Sequence, residues 1–415
     1  MRVIRTYQIF IRGNGTVSAM CHISKNLFNQ ANYILRNQFF SKEKMSSYKT
    51  LAKQFSKPSD MENNNNFQKL PAQTAQWTIK KVKDSWNSFF RALKSYKKNP
   101  ELFTGVPKPP KYKYKDGEFI LIFTNQQCHM NNGMLKFPKI MNLEVETGLD
   151  NNINLREVRI IPSGVGYNVE LVYFKDISDF NEVNANRILG IDVGVRNIIT
   201  IGNSISEKGI AVKGGVLKSI NQYFNRELAR LKSVNDRQRK NKENTKRINK
   251  LYAVRNMKIR DIMHRLSSAV ISYARTNEID TIVVGHNKGW KQNVDMGRKN
   301  NQDFVQIPFN MLINQIYYKG NENGINVIIQ EESYTSKCSF LDNESIEKHE
   351  TYLGKRIKRG VFMSANGTLM HADLQASYNI IKKAIPEAFA NGIEGIGLYP
   401  RSLSIKEMIT SKEVC

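Results

Sequence analysis

The chain has 415 residues, 40% of them hydrophobic, and a formal net charge of +26 at pH 7. That length predicts two or three domains with real cores, and no run of about eighteen apolar residues occurs, so no membrane span is expected. Self-repulsion at this charge opposes compactness and is best explained by a polyanionic partner, met along a large groove because the basic residues run through the whole length.

Residues 1–12 alternate as a strand and do not read as a signal peptide. From about Ile23 to Phe40, the positions Ile23, Leu27, Ala31, Ile34 and Leu35 fall at helical spacing. Residues 56–69 read as a loop. A second helix is clearer: Ala75, Ile79, Val82, Trp86, Phe89, Phe90 and Leu93 form one apolar stripe, with lysines off it. The stretch 107–115, Pro-Lys-Pro-Pro-Lys-Tyr-Lys-Tyr-Lys, is held extended by its prolines. Its alternating cations and rings suit a nucleic-acid backbone with stacked bases; a rigid basic linker is the plainer reading. Short strands at 118–124, 135–138, 157–162 and 167–174 follow, with Asn/Gly turns between them. With residues 1–12 they predict a small barrel, interrupted by the helical segment 13–106.

The apolar run Ile188, Leu189 and Ile191 then carries one carboxylate, Asp192. Gly194 allows a tight turn and a second apolar run, 198–201, follows. This predicts a hairpin with a buried acid on its first strand. Desolvating an unpaired carboxylate costs several kcal/mol, so Asp192 needs a partner. A divalent metal is the predicted partner; capping of the turn is the blander alternative. A third strand is expected near 209–215. Residues 217–278 read as a basic helical hairpin, entered through Tyr223, Leu228 and Leu231. Its tip, 236–250, holds Arg237, Arg239, Lys240, Lys246 and Arg247 with almost no apolar residue. Residues 280–285 form a buried strand, 286–307 an irregular polar loop, 309–324 a helix and 325–330 another buried strand ending at Glu331-Glu332. An insertion spans 333–370, and a last helix opens at Asp373. Three meandering strands, then helix, strand, helix, strand, insertion and helix, make an RNase H-like α/β order. In such a sheet Asp192, Asp373 and an acid from a central strand end can converge on two Mg²⁺ or Mn²⁺ ions, about 3.5–4 Å apart.

At these residues the chain resembles the transposon-encoded TnpB proteins, RNA-guided DNA nucleases related to compact type V CRISPR effectors. Gly190-Ile-Asp192-Val-Gly-Val resembles the first RuvC motif of that family, and Ala372-Asp373-Leu-Gln-Ala-Ser-Tyr-Asn379 the third. Tyr334-Thr-Ser-Lys-Cys338-Ser and the basic stretch at 107–113 match as well. The resemblance implies an α+β multidomain protein. A wedge-type β-barrel would comprise 1–12 and 107–185, and a helical recognition domain 13–106. A RuvC nuclease domain would comprise 186–332 and 371–390, a target-nucleic-acid-binding insertion 333–370, and a tail 391–415. It also implies a guide RNA (an ωRNA) from the transposon end and a target DNA duplex read beside a short adjacent motif. The protein is expected as a monomer with RNA, in the prokaryotic cytoplasm with the nucleoid.

Two departures stand out. The family's middle glutamate usually ends the strand at 282–284, where this chain has Gly285-His286-Asn287. The expectation is that Glu331 or Glu332 serves from the neighbouring strand, in a branch with a rearranged RuvC site. The family's insertion is often a four-cysteine zinc finger, yet only Cys338 lies in it here, with His349 and His371 nearby, so no zinc is expected. Cys338 is then a small buried hydrophobe. The four cysteines are far apart and suggest no disulfide frame. The insertion is expected to be held by Phe340, Leu353 and Phe362, with Lys355, Arg356, Lys358 and Arg359 toward nucleic acid. Further nucleic-acid contacts are expected from Lys108, Lys111, Tyr112 and Lys113, and reading of the adjacent motif from Gln76. The activity implied is metal-dependent hydrolysis of DNA leaving a 5′ phosphate. A nuclease-dead RNA-guided repressor and a strand-transfer transposase are the competing readings.

Overall fold

The computed structural model describes residues 2–57, 66–177, 186–205, 208–238, 244–287, 289, 297–390, 392 and 395–410. The chain divides into two compact units, Arg2–Asp176 and Ile177–Cys415. Each mixes helices with sheet.

In the first unit, β1 (Arg2–Ile11) is followed by α1 (Gly15–Phe40), α2 (Tyr48–Ser56) and α3 (Ala72–Lys98). Asn14 caps α1, its side chain accepting from the amides of Thr16 and Val17. The helix therefore starts about two turns before the expected Ile23. On α3 the buried stripe is Ala75, Ile79, Val82, Trp86 and Phe89, while Phe90 falls off it, 37% exposed. The Trp86 indole donates to Asn32 of α1 at 2.9 Å, which satisfies two buried polar groups at once.

Six short strands complete the unit: β2 (Leu121–Thr124), β3 (His129–Asn131), β4 (Met134–Lys136), β5 (Glu144–Glu146), β6 (Asn154–Pro162) and β7 (Tyr167–Asp176). They form two sheets, ordered β1-β7-β6-β2 and β3-β4-β5. The single closed barrel expected from the sequence is not what the hydrogen bonds draw. Among the described residues β1 and β2 remain edges, since β1 pairs only with β7 and β2 only with β6, the two strands of the central hairpin.

In the second unit a six-stranded sheet runs β12-β11-β8-β9-β10-β16. Its first strands are β8 (Ile188–Asp192), β9 (Asn197–Asn203) and β10 (Ile210–Lys213), an antiparallel meander. Helices α4 (Gly215–Gln238) and α5 (Lys246–Thr276) then lead to β11 (Thr281–Gly285), parallel to β8. Next come α6 (Arg298–Gln306), α7 (Phe309–Glu322) and β12 (Asn326–Gln330). A three-stranded sheet, β13 (Lys355–Lys358), β14 (Val361–Met363) and β15 (Leu369–His371), precedes α8 (Ala372–Ala384). Finally β16 (Arg401–Ser404) pairs parallel with β10, and α9 (Ile405–Thr410) follows.

Several expectations are corrected here. Part of the polar loop at 286–307 is helix α6. On the first turns of α4 the buried positions are Leu217, Asn221 and Phe224, one helical period apart, while Tyr223 is exposed. Leu353 does not pack in the insertion but is 55% exposed; Phe340, Phe362 and Cys338 are buried. Part of the tail past 390 extends the sheet as β16.

One face of the sheet is covered by α5 and α7, which bury Leu189 and Ile191 among Leu266, Val270, Leu312 and Ile316. Helix α8 covers the other, packing Leu374, Tyr378, Ile380 and Ile381 near Ile188 and Val283. What lets α8 in is a floor of glycines. A Cβ on Gly190 would strike the Ser377 carbonyl, one on Gly202 the Ser377 hydroxyl and Tyr378, one on Gly209 Leu374, and one on Gly285 Ile380. Four neighbouring chain segments thus give up side chains under one helix. Gly190→Ala should destabilise the protein by about 3 kcal/mol, because backbone rather than a mobile side chain blocks the new methyl. Urea unfolding checks this; a change within about 0.5 kcal/mol would contradict the close packing.

Candidate active site

Side chains alternate along β8, so Asp192 shares its face with Ile188 and Gly190 and looks toward α8. Asp373 lies in the first turn of that helix, where the backbone dipole favours a negative charge. Asn197, opening β9 and buried, donates to Asp373 Oδ2 at 2.9 Å. Arg356, at the second position of β13, approaches Asp373 Oδ1 at 3.5 Å. Asp192 and Asp373 line one cleft of about 270 Å³, together with Arg196, Arg359 and His371. Burial, then the charges of Asp373 and Glu332, hold the Asp192 carboxyl well above the usual carboxylate range, while Arg356 works against them.

The two glutamates at the end of β12 part company. Glu331 is half-exposed and accepts from Lys383 Nζ at 2.6 Å and from the Ser333 amide at 2.9 Å, which lowers its pKa. Glu332 turns inward. The Asn287 amide side chain brackets it, accepting from the Glu332 backbone N–H at 3.1 Å and donating to its Oε1 at 3.4 Å. Glu332 Oε2 stands 2.8 Å from where a Cβ on Gly285 would be. It therefore fills the room that a side chain at 285 would take. Burial, then Glu331, pushes its carboxyl up to about 7. Of the expected set, the structure brings Asp373 and Glu332 within electrostatic reach of Asp192 and turns Glu331 toward Lys383.

Among the described residues no three His, Cys, Asp or Glu side chains are arranged to hold an ion as they stand. The donor chemistry nonetheless suits one. Asp373 and Glu332 both disfavour the charge of Asp192, and a hard divalent cation between these oxygen donors would relieve that.

The insertion is tied to α8 by amides. Asn379 Nδ2 donates to the carbonyls of Cys338 at 2.7 Å and Thr335 at 2.9 Å, and Gln375 Nε2 also donates to that of Cys338. Within it, buried Glu344 accepts from the amides of Ser339 at 2.6 Å and Leu353 at 2.9 Å.

The basic candidates are scattered. Lys108, Lys111, Arg237, Lys246, Arg247 and Lys355 are exposed, and Arg239 and Lys240 lie outside the described residues. Lys113 sets its ammonium over the rings of Phe28 and Phe119, 4.9 Å from each centroid. Gln76 lines a groove on α3 with Gln73, Trp77 and Lys80. The sequence reading missed Asn197 and Arg196. For Asn197 the signal was there: an amide opening a fully buried, mostly apolar strand.

Two family models match the chain: OrfB_IS605, described as "Probable transposase", over residues 172–291, and "Cas12f1-like, TNB domain", over 309–380. A curated relative, the TnpB-like protein ORF457 of Acidianus two-tailed virus, is 25% identical over 407 residues, covering 88% of this chain and 82% of the relative. Among solved structures, a Cas12f1-sgRNA-target DNA complex aligns with a TM-score of 0.49 at 14% identity, covering 89% of this chain and 83% of that one. CasPhi-2 (Cas12j) bound to crRNA aligns at 0.45 and 8% identity, covering 92% and 98%.

Glu332 gives a pH test. Its folded pKa of about 7 lies above the ordinary 4.5, so the native state keeps a proton that the unfolded chain has lost. Stability should therefore fall as pH rises from about 4.5 through about 7. In chelator, Glu332→Gln should be more stable than the parent by up to about 3 kcal/mol at pH 8 and no different near pH 4. Thermal melts across that range would show it; a pH-independent difference counts against the buried acid.

Proposed function

We propose that this chain, which belongs to the TnpB family, is an RNA-guided DNA endonuclease. The observation that carries this reading is the meeting of Asp192 and Asp373 in one cleft, with Glu332 filling the room left by Gly285. We assign these three acids to two Mg²⁺ or Mn²⁺ ions, which when bound supply an activated water and charge for the leaving 3′ oxygen. The chain's own residues do the rest. Asn197 fixes the rotamer of Asp373 through Oδ2. Arg196, Arg356 and Arg359, all lining the cleft, bind the scissile phosphate. Arg356 shields Asp373 until a phosphate draws it off. Glu331, paired with Lys383, stays outside the chemistry. Hydrolysis in this frame leaves a 5′ phosphate.

The second unit is accordingly read as a RuvC nuclease domain, 186–332 with 371–390, interrupted by a DNA-contacting insertion at 333–370. In the first unit, residues up to 12 and from 107 onward act as a wedge and 13–106 as a recognition domain. The partners are an ωRNA from the transposon end and a target duplex, whose adjacent motif meets the groove holding Gln76. Exposed Lys108, Lys111, Tyr112, Lys246, Arg247 and Lys355 supply phosphate or base contacts. In a net charge of +26 such contacts should make binding strongly salt-dependent.

The test is to purify the protein from its host, sequence the RNA that accompanies it, and offer a matching plasmid with Mg²⁺. Cleavage is expected. Asp192→Asn, Asp373→Asn and Glu332→Gln should each reduce it by roughly a thousandfold, and Asn197→Ala by about 10–100-fold. Glu331→Gln should cut within a few-fold of the parent. A defined RNA with no cleavage would favour the repressor; full activity in Glu332→Gln would remove that residue from the site.

A further inference from the structure

The stretch 107–117 does not float as a linker. A row of polar side chains along α1 grips its backbone. His22 meets the Gly117 carbonyl at 3.2 Å, and Lys25 donates to that of Lys115. Asn29 pairs with Lys113 in both directions, Nδ2 to its carbonyl at 2.9 Å and Oδ1 from its amide at 2.8 Å. Asn32 donates to the Pro110 carbonyl at 3.3 Å, and Arg36 Nη1 to the same oxygen at 2.7 Å. These positions recur every three or four residues, one helix face.

Because the backbone is taken up by α1, the side chains stand off it. Tyr112 is 47% exposed and Tyr114 76%. Phe40, one turn beyond Arg36, is 61% exposed. The Arg36 guanidinium carbon lies 5.3 Å from the Phe40 ring centroid and 5.4 Å from that of Tyr112. An arginine plane anchored by a carbonyl thus sits between two rings that both keep large areas in water. Anchoring removes the rotamer entropy that binding would otherwise cost. Exposed Lys111 precedes Tyr112 in sequence and exposed Lys115 follows it by three residues, with Asp116 and Glu43 also nearby in sequence.

We infer that Phe40, Arg36 and Tyr112 form a stacking platform for an unpaired stretch of nucleic acid, its bases on the rings and its phosphates on Arg36 and Lys111. Rings interleaved with cations suit nucleotides, whose flat faces and charges alternate in the same way, and the chain's charge draws a polyanion there. This rests on the proposed RNA-guided function for its biological occupant, but not for its chemistry.

The test uses the full chain, a ten-nucleotide oligouridylate, the matching oligothymidylate and an abasic oligomer with the same phosphates. The parent should bind either base-bearing oligomer roughly tenfold more tightly than the abasic one. Phe40→Ala with Tyr112→Ala should erase that preference while leaving abasic binding unchanged. Tyr112→Phe should keep it, which separates a lost ring from a lost fold. Arg36→Lys, retaining charge without the plane, should lose part of it. A 4-thiouridine oligomer should crosslink to peptides containing Tyr112 or Phe40. Equal binding of abasic and base-bearing oligomers by the parent, or an unchanged preference in the double variant, would overturn the platform. If the preference vanishes as expected while Asp192→Asn still cleaves plasmid, the platform stands and the nuclease assignment fails. The reverse pattern removes the platform alone.

Discussion

The close approach of α8 to the sheet is the constraint on which the second unit depends. A helix normally packs on a sheet through interleaved side chains. Here Gly190, Gly202, Gly209 and Gly285 remove them from four adjacent segments, and α8 settles onto backbone. The consequence is positional. With its middle held against Gly190 and Gly202, the first turn of α8 falls beside the C-terminal end of β8, and Asp373 faces the cleft that Asp192 lines. Those two acids are separated by 181 positions of chain. Their meeting follows from packing that involves neither of them.

The same closeness makes the site electrostatically expensive. Asp192 is pushed up by burial and by two other acids. Native proteins retain such clusters where a cation or a proton resolves them. Arg356 offers a partial solution at 3.5 Å, a distance suited to a contact that can be exchanged. The division between Glu331 and Glu332 fits the same logic. Adjacent strand-end residues point to opposite sides, so one could go inward and the other had to find solvent or a counter-ion. Lys383 on α8 takes the outward one. Glu332, at about 7, carries the cost of the inward position.

Much of this was legible because period and burial coincide. Apolar runs with β-branched residues marked β8, β9, β11 and β12, and a single acid at the end of one run singled out Asp192. The stripe on α3 was equally plain, being long and regular. The misses share a cause: they turn on tertiary contact. Glu331 and Glu332 are identical in type and adjacent, so only the pairing of one with Lys383 and the vacancy at Gly285 separates them. Helix α6 carries a polar sequence, Arg-Lys-Asn-Asn-Gln-Asp-Phe-Val-Gln, with little apolar period to betray it. Leu353 looked like core by composition, yet it is Glu344 that the Leu353 backbone serves. Strand β16 is four residues whose partner, β10, lies nearly two hundred positions earlier.

The insertion shows why chemistry, not residue type, decides what holds a small subdomain. At 333–370 there is too little apolar surface for an independent core, and such segments need a staple. Buried Glu344 provides one by bridging two amides fourteen residues apart, Ser339 and Leu353, and Lys382 of α8 donates to its carbonyl at 3.0 Å. Asp342 adds a second bridge, from the Ser339 hydroxyl at 2.5 Å to the Ala365 amide at 2.8 Å. Asn379 and Gln375 then fasten the segment to α8. Every one of these bonds is directional. The segment is therefore fixed in orientation as well as anchored, and the strand after Leu353 carries Arg356 to the carboxylate of Asp373. Carboxylates and amides thus position the cation that lines the cleft, through the same helix whose glycine floor set the cleft in place.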